Sequence, residues 1–182
     1  MKSTFPGMPS VAAGFEAPLE MLLACHDRIR SRCATLLRLR SHVEKKGVDA
    51  EAIDAARGVI RYFDSSAAHH HEDEERDLFP ALLGAMPGSD PVCVRELTAS
   101  LADEHRELGR LWARVRPWLA GVERGETPPP DAGEIQSFVD LYERHARREE
   151  EELFPMAKRL LGDDELDRIG RAMRLRRGIT ST

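Results

Sequence analysis

Apolar residues recur at every third or fourth position along several long stretches of the chain, a spacing typical of amphipathic α-helices. Proline and glycine mark the ends of these stretches. The first predicted helix runs from Pro18 to about residue 46, before Gly47, and the second begins at Asp49 and continues through the Pro80 region to the segment MPGSDP. The third is predicted to start at residues 89–91 (Ser-Asp-Pro) and to end near residue 123, and it can bend at Pro117.

The linker RGETPPPDAG separates the third stretch from the fourth, which is predicted to run from about Asp131 to Leu161. The segment GDDELDRIGRAMRLRRG then predicts a shorter fifth helix. Long helices with short connections favour an all-α protein, an antiparallel up-down four-helix bundle with a short extra C-terminal helix. The predicted organisation is an N-terminal extension (1–17), a helical bundle (18–162) and a C-terminal helix and tail (163–182).

The composition agrees with a single helical domain. The 182 residues are 32% charged and only 5% aromatic, and the period-two runs of β-branched residues that strands favour are missing. A formal net charge of -5 predicts no nucleic-acid partner, and the basic end of the fifth helix is interpreted as arginines that complement its dipole. No apolar run is long enough for a bilayer, which predicts no membrane partner and a cytoplasmic location. The cysteines form no C-x-x-C pair and are predicted to be reduced thiols with packing roles: Cys25, Cys33 and Cys93.

Each of the four long predicted helices has one histidine in the middle of its apolar face: His26, His70, His105 and His145. A lone histidine in such a stripe is usually a core residue, but four at matching depth favour a shared site. Glu74 and Glu149 follow the second and fourth of these histidines by four residues and so also face the core. A buried carboxylate is costly unless it is paired or bound to a cation.

The chain contains the same phrase twice. Residues 70–80 match residues 145–155 at both HxxxE motifs, at the glutamate that follows each motif, and at the closing Leu-Phe-Pro. His145 follows His70 by 75 residues, and His105 follows His26 by 79. The chain is therefore an internal repeat of a helix pair, and we expect each copy to supply half of one metal site.

This arrangement, a histidine and then HxxxE in each half of a four-helix bundle, resembles the hemerythrin-like HHE cation-binding family over about residues 18 to 162. The resemblance implies that the four histidines are imidazole ligands and that Glu74 and Glu149 bridge two iron ions. Such ligands also suit manganese or zinc. A bridging oxo or hydroxo group would leave about two coordination positions open.

The resemblance leaves the function open between two classes. The leading hypothesis is a binding protein that reversibly binds or senses a small ligand such as O2, NO or iron itself. The alternative is a di-iron redox enzyme that reduces NO or peroxide or repairs iron–sulfur centres, and it needs an external electron donor. A metal-free helical adaptor is a third interpretation, but it strands the buried histidines and glutamates. A homodimer is left open.

Several residues near the predicted site have two interpretations. The oxygen-carrying hemerythrins place another histidine one turn after the third ligand, where this chain has Gly109; the glycine either allows a neighbouring helix to approach or leaves a gap beside one iron. His71 is predicted to flank the core or to reach the metal, and Tyr142 to pack in the core or to donate to a bound oxygen species. His42 is predicted to be a surface residue. The remaining acidic residues of both phrases are predicted to form a solvated face, with an orienting role open for the first one after each motif: Glu72, Asp73, Glu75, Glu150, Glu151 and Glu152.

Overall fold

The computed structural model describes residues 14–86, 92–129 and 133–179, and these residues form five helices and no β-strand. Helix α1 spans Pro18–Lys46, α2 spans residues 50–84, α3 spans Val92–Glu123, α4 spans residues 134–160 and α5 spans Asp163–Arg176. The predicted all-α class is confirmed.

The first four helices form a closed bundle. Helix α2 packs against α1 and α3, and α4 packs against α3 and α1. Short connections reverse the chain between successive helices, so the arrangement is the predicted antiparallel up-down four-helix bundle. Helix α5 lies outside the bundle against α1 and α2.

The ends of α1 and α2 follow from local chemistry. Gly47 ends α1 with a φ of +80°, a left-handed conformation that favours glycine. The Asp49 carboxylate accepts a hydrogen bond from the Ala52 N–H at 2.9 Å and so caps α2, as predicted. The predicted starts of α3 at residues 89–91 and of α4 at Asp131 lie outside the described residues.

Two helices contain π-helical turns. In α2 these are Tyr62–Ser66 and Glu74–Leu78, and in α4 the turn is Glu149–Leu153. The last two begin at the motif glutamates and lead into Phe-Pro. A proline lacks the N–H that an α-helix needs, and its ring crowds the preceding turn. A widened turn before the proline relieves that crowding. The repeated Leu-Phe-Pro thus coincides with a repeated change in helix geometry.

The apolar core has two parts. One cluster includes Ile29 and Phe138, and the other includes Leu22 and Leu78. On α1 the two clusters are separated by the segment that carries His26. The core is therefore divided by a polar layer, which holds the predicted site.

Helix α5 belongs to the second cluster through the buried residues Ile169 and Met173. At Gly170 the helix approaches the chain so closely that a Cβ would collide with the carbonyl oxygen of Phe15. None of the helices in the described ranges combines the length and apolarity needed to cross a bilayer. Cys25 and Cys33 are buried free thiols, whereas the packing role predicted for the exposed third cysteine is wrong.

Candidate metal centre

The six side chains predicted as ligands converge in the polar layer, and each is at most 6% exposed. They form two groups whose nitrogen and oxygen atoms lie within 4.8 Å of one another. One group contains the histidines of α1 and α2, and the other contains the histidines of α3 and α4. Both groups contain Glu74 and Glu149. Two cations could therefore be held side by side with both carboxylates in common.

Each glutamate directs one oxygen towards each group. In Glu149, Oε2 lies 3.0 Å from His26 Nε2 and Oε1 lies 3.3 Å from His145 Nε2. In Glu74, Oε1 lies 3.5 Å from His70 Nε2 and Oε2 lies 3.5 Å from His105 Nε2. This is the placement that a carboxylate bridging two cations requires.

Three of the four histidines are oriented by a carboxylate outside the centre. The Nδ1 atom lies 2.8 Å from Glu150 in His26, 2.7 Å from Glu75 in His105 and 2.8 Å from Glu104 in His145. The contacts of Glu75 and Glu150 are the orienting role left open above for the glutamate after each motif. A carboxylate only accepts, so each Nδ1 donates and Nε2 is the nitrogen that faces the centre.

The Nε2 atoms that face the centre lie so close together that each pair needs a shared proton or cation. The Nε2 atoms of His105 and His145 lie 3.0 Å apart, and those of His26 and His70 lie 3.1 Å apart. Two lone pairs at that distance repel each other unless they share a proton or a cation. The donor set therefore fits a cation at each pair.

The repeated phrase supports the opposite half of the centre. In the first copy, Glu75 accepts from His105 and Phe79 stacks on the same ring at 6.1 Å between centroids. In the second copy, the equivalent glutamate accepts from His26, and Phe154 stacks on that ring at 5.4 Å. Each copy thus holds the histidine that the other copy contributes from its first helix.

In the absence of metal, the ionisable groups of the centre have shifted pKa values. Burial and the nearby charge of Glu149 raise the pKa of Glu74 to about 7. Burial opposes protonation of His105, but the surrounding glutamates outweigh it and raise the pKa of the imidazole to about 11. Both oxygens of Glu74 and Oε1 of Glu149 have no hydrogen-bond partner among the described residues. Two cations would supply partners for these oxygens, and mixed imidazole and carboxylate ligands suit iron, manganese or zinc.

The sequence model of the family described as Hemerythrin HHE cation binding domain matches residues 17–157. The chain belongs to this family. It is also 30% identical over 171 residues to an uncharacterized protein of Haemophilus influenzae, an alignment that covers 94% of this chain and 96% of the relative. Membership of the HHE family implies metal binding, in agreement with the buried histidine and glutamate groups.

One further imidazole lies beside the predicted ligands of the HHE centre, and it does not come from α3. Gly109 is exposed, and a Cβ there would meet no atom within 4 Å, so the predicted close approach of a neighbouring helix is wrong. Instead the His71 ring stacks on His105 with centroids 4.0 Å apart and ring planes 12° apart. His71, His105 and His145 form a third group of ligand atoms within 4.8 Å.

Some residues near the HHE centre differ from the sequence prediction. Asp73, predicted to be solvated, is fully buried and paired with Arg176 and Arg177 of α5. The partners lie about a hundred positions away along the chain, and no local pattern connects them. Tyr142 is buried against Phe63 and other aromatic residues, as the core-packing interpretation expects.

Glu104 is an outer contact of the centre that the sequence analysis missed. The signal that could have found it is its position directly before His105, on the flank of α3. Cys25 holds the equivalent position before His26, and correspondingly His70 Nδ1 has no hydrogen-bond partner among the described residues. His42 is removed from this network and lies 2.9 Å from the Asp49 carboxylate near the start of α2.

Proposed function

We propose that this chain is a non-haem di-iron protein that reversibly binds or senses a small ligand such as O2 or NO, or that takes up iron itself. His26 and His70 would hold one ion, His105 and His145 would hold the other, and Glu74 and Glu149 would bridge the two. When bound, iron would supply Lewis-acid and redox-active positions inside a core from which water is largely excluded.

The convergence of four imidazole nitrogens and two carboxylates supports this proposal most directly. The Nε2 atoms lie in pairs at 3.0 and 3.1 Å, and three of the rings are fixed by outer carboxylates. Such outer contacts are typical of metal-ligating histidines, because they set the tautomer and raise the basicity of the ligand. A site that only stabilised the bundle would more often be filled completely by protein ligands.

Elemental analysis of protein isolated without added metal tests the proposal. We expect about two irons per chain, with absorption bands of an oxo-bridged pair. The His70→Ala and His145→Ala variants should lose most of this iron, because the two halves of the centre are equivalent in the repeat. The matched control is His42→Ala, whose side chain pairs with Asp49 outside the centre and whose iron content should equal that of the unchanged protein.

Titration of the iron-loaded protein with O2 and with NO then tests the ligand. Reversible spectral changes that saturate with added ligand, and that are absent from protein freed of metal by a chelator, are the expected result. Sustained consumption of NO or peroxide in the presence of an electron donor would instead favour the redox enzyme. Protein that contains one zinc, or no metal, would exclude the di-iron assignment.

A further inference from the structure

We infer that Arg30 and Arg148 are positioning residues of the centre, each holding the glutamate that orients one of the predicted ligand histidines, and that a third arginine of this kind is missing at Gly109. This inference rests on the proposed di-metal centre and adds a layer of residues outside its orienting carboxylates. These arginines do not touch the predicted metal positions, so any effect on metal binding must pass through the glutamates.

The first of these arrangements joins α1 and α4. Glu150 of α4 accepts from His26 Nδ1 at 2.8 Å. Arg30 follows that histidine by one turn on α1 and contacts both oxygens of the same carboxylate, at 2.9 and 3.0 Å. It also donates to Glu143 of α4 at 3.3 Å. Two N–H groups directed at one carboxylate fix both its position and its plane, so Glu150 is held against the histidine.

The second arrangement joins α4 and α3. One oxygen of Glu104 accepts from His145 at 2.8 Å, and its other oxygen accepts from Arg148 at 2.9 Å. Arg148 follows His145 by three residues on α4 and also donates to the Ser100 hydroxyl of α3 at 2.7 Å. In both arrangements a histidine and an arginine lie about one turn apart on one helix, and a glutamate of the neighbouring helix contacts both.

The third arrangement is incomplete. Glu75 of α2 accepts from His105 of α3 at 2.7 Å. Gly109 follows His105 by four residues, just as Arg30 follows His26, the equivalent histidine of the repeat. Among the described residues no arginine nitrogen lies within 4 Å of the Glu75 carboxylate, whose side chain is 43% exposed, compared with 25% and 26% for the two glutamates held by an arginine. A Cβ at Gly109 meets no atom within 4 Å, so a longer side chain has room there.

The arginines matter because a partly exposed glutamate can otherwise rotate into water. A carboxylate orients an imidazole only while it stays at Nδ1, and losing such a direct partner weakens metal binding by about 10- to 100-fold. The arginines act one step further out, through partly exposed ion pairs, so we expect each to contribute about two- to fivefold to metal affinity. Each of the two predicted metal positions has one histidine held in this way, His26 in one and His145 in the other.

Arginine-to-lysine variants test the inference without changing the charge near the metal. Arg30→Lys and Arg148→Lys keep the positive charge but replace the planar fork with a single ammonium group. The matched control is Arg28→Lys, an exposed residue of α1 that donates to the Ala24 carbonyl of its own helix. Iron affinity is measured by competition with a chelator. Thermal melting of the chelator-treated proteins is recorded in parallel, because a role in packing alone would lower the melting temperature in the absence of metal.

The decisive measurement combines each lysine variant with removal of its glutamate, as Glu150→Ala or Glu104→Ala. Each lysine variant alone should bind iron about two- to fivefold more weakly, and Arg28→Lys should bind it as the unchanged protein does. In the alanine backgrounds the same lysine changes should have no further effect, because the residue through which they act is gone. Unchanged affinity in both lysine variants, or a loss that persists in the alanine backgrounds, would overturn the inference, although the di-metal centre stands.

The incomplete arrangement offers a gain in affinity. Gly109→Arg should bind iron about two- to fivefold more tightly than its charge-matched partner Gly109→Lys, and Glu75→Ala should abolish the difference. Equal affinities of the two variants would show that no arginine is missing at this position. If the unchanged protein binds no iron, the proposed function itself is wrong.

Discussion

The ion pairs between α5 and α2 predict a large loss of stability when α5 loses two arginines. Asp73 is fully buried and lies between the predicted ligands His70 and Glu74 on α2, and both of its oxygens accept from guanidinium groups. Arg177 donates to it at 3.1 and 2.6 Å, and Arg176 also donates to a second aspartate of α2. Removing the partners of a buried charge costs about 3–5 kcal/mol.

The change to make is Arg176→Met together with Arg177→Met, which keeps apolar bulk and removes both cations. For a chain of this length about 1 kcal/mol shifts the melting temperature by about 2–4 °C, so we expect a decrease of about 6–20 °C. Far-UV circular dichroism of chelator-treated protein measures it without a contribution from bound metal. The control is Arg171→Met on the exposed side of α5.

A further Asp73→Asn change in the double variant should recover part of the lost stability, because it removes the unpaired buried charge. A double variant that melts within about 2 °C of Arg171→Met, which corresponds to less than about 1 kcal/mol, would refute the assignment of these ion pairs as buried and stabilising. Equal stability of the double variant with and without Asp73→Asn would refute the role of the charge.

Three further predictions concern the centre and its surroundings. Glu104→Gln should weaken metal binding by about 10- to 100-fold, because His145 loses the carboxylate that orients it, while Glu107→Gln on the same helix should not; chelator competition measures both. Lowering the pH from about 7 to about 5 should release metal, since the pKa of Glu74 in the metal-free chain is about 7 and its carboxylate takes up a proton over this range. Metal retained after dialysis at each pH reports this, and retention that does not change with pH would contradict it. Gly109→Ala should raise the free energy of unfolding by about 0.5–1 kcal/mol, since the site is exposed and has no neighbour within 4 Å, and a thermal melt with unchanged metal content checks it.

The helices and the convergence of six side chains could be predicted from sequence because both depend on one helix at a time. A rotation of about 100° per residue places His70 and Glu74 on the same face of α2 whatever lies opposite. The repeat then indicates that the equivalent face of α4 meets it. Local periodicity was sufficient here because the ligands lie at the centres of the apolar faces.

The positions that the sequence left open or placed wrongly depend on which neighbour lies beside a helix. A helix of a four-helix bundle contacts neighbours on two different sides, so a residue about 100° from the centre of its apolar face can still point towards one of them. His71 does so towards α3 and α4. Asp73 is buried only because α5 returns over it, and that contact spans about a hundred residues of sequence. A helical wheel contains neither fact.

The π-helical turns that begin at Glu74 and Glu149 matter for anyone who wishes to build this centre elsewhere. Each turn widens the helix at a glutamate predicted to bridge the two ions, and the N–H of Phe79 or Phe154 bonds to the backbone carbonyl of that glutamate. The same phenylalanines stack on the histidines of the opposite half. A designer who copied only the ligands onto ideal α-helices would turn both phenylalanines away from those rings, because an ideal turn accommodates one residue fewer. The segment to transfer is therefore the π-helical turn together with the predicted ligands beside it.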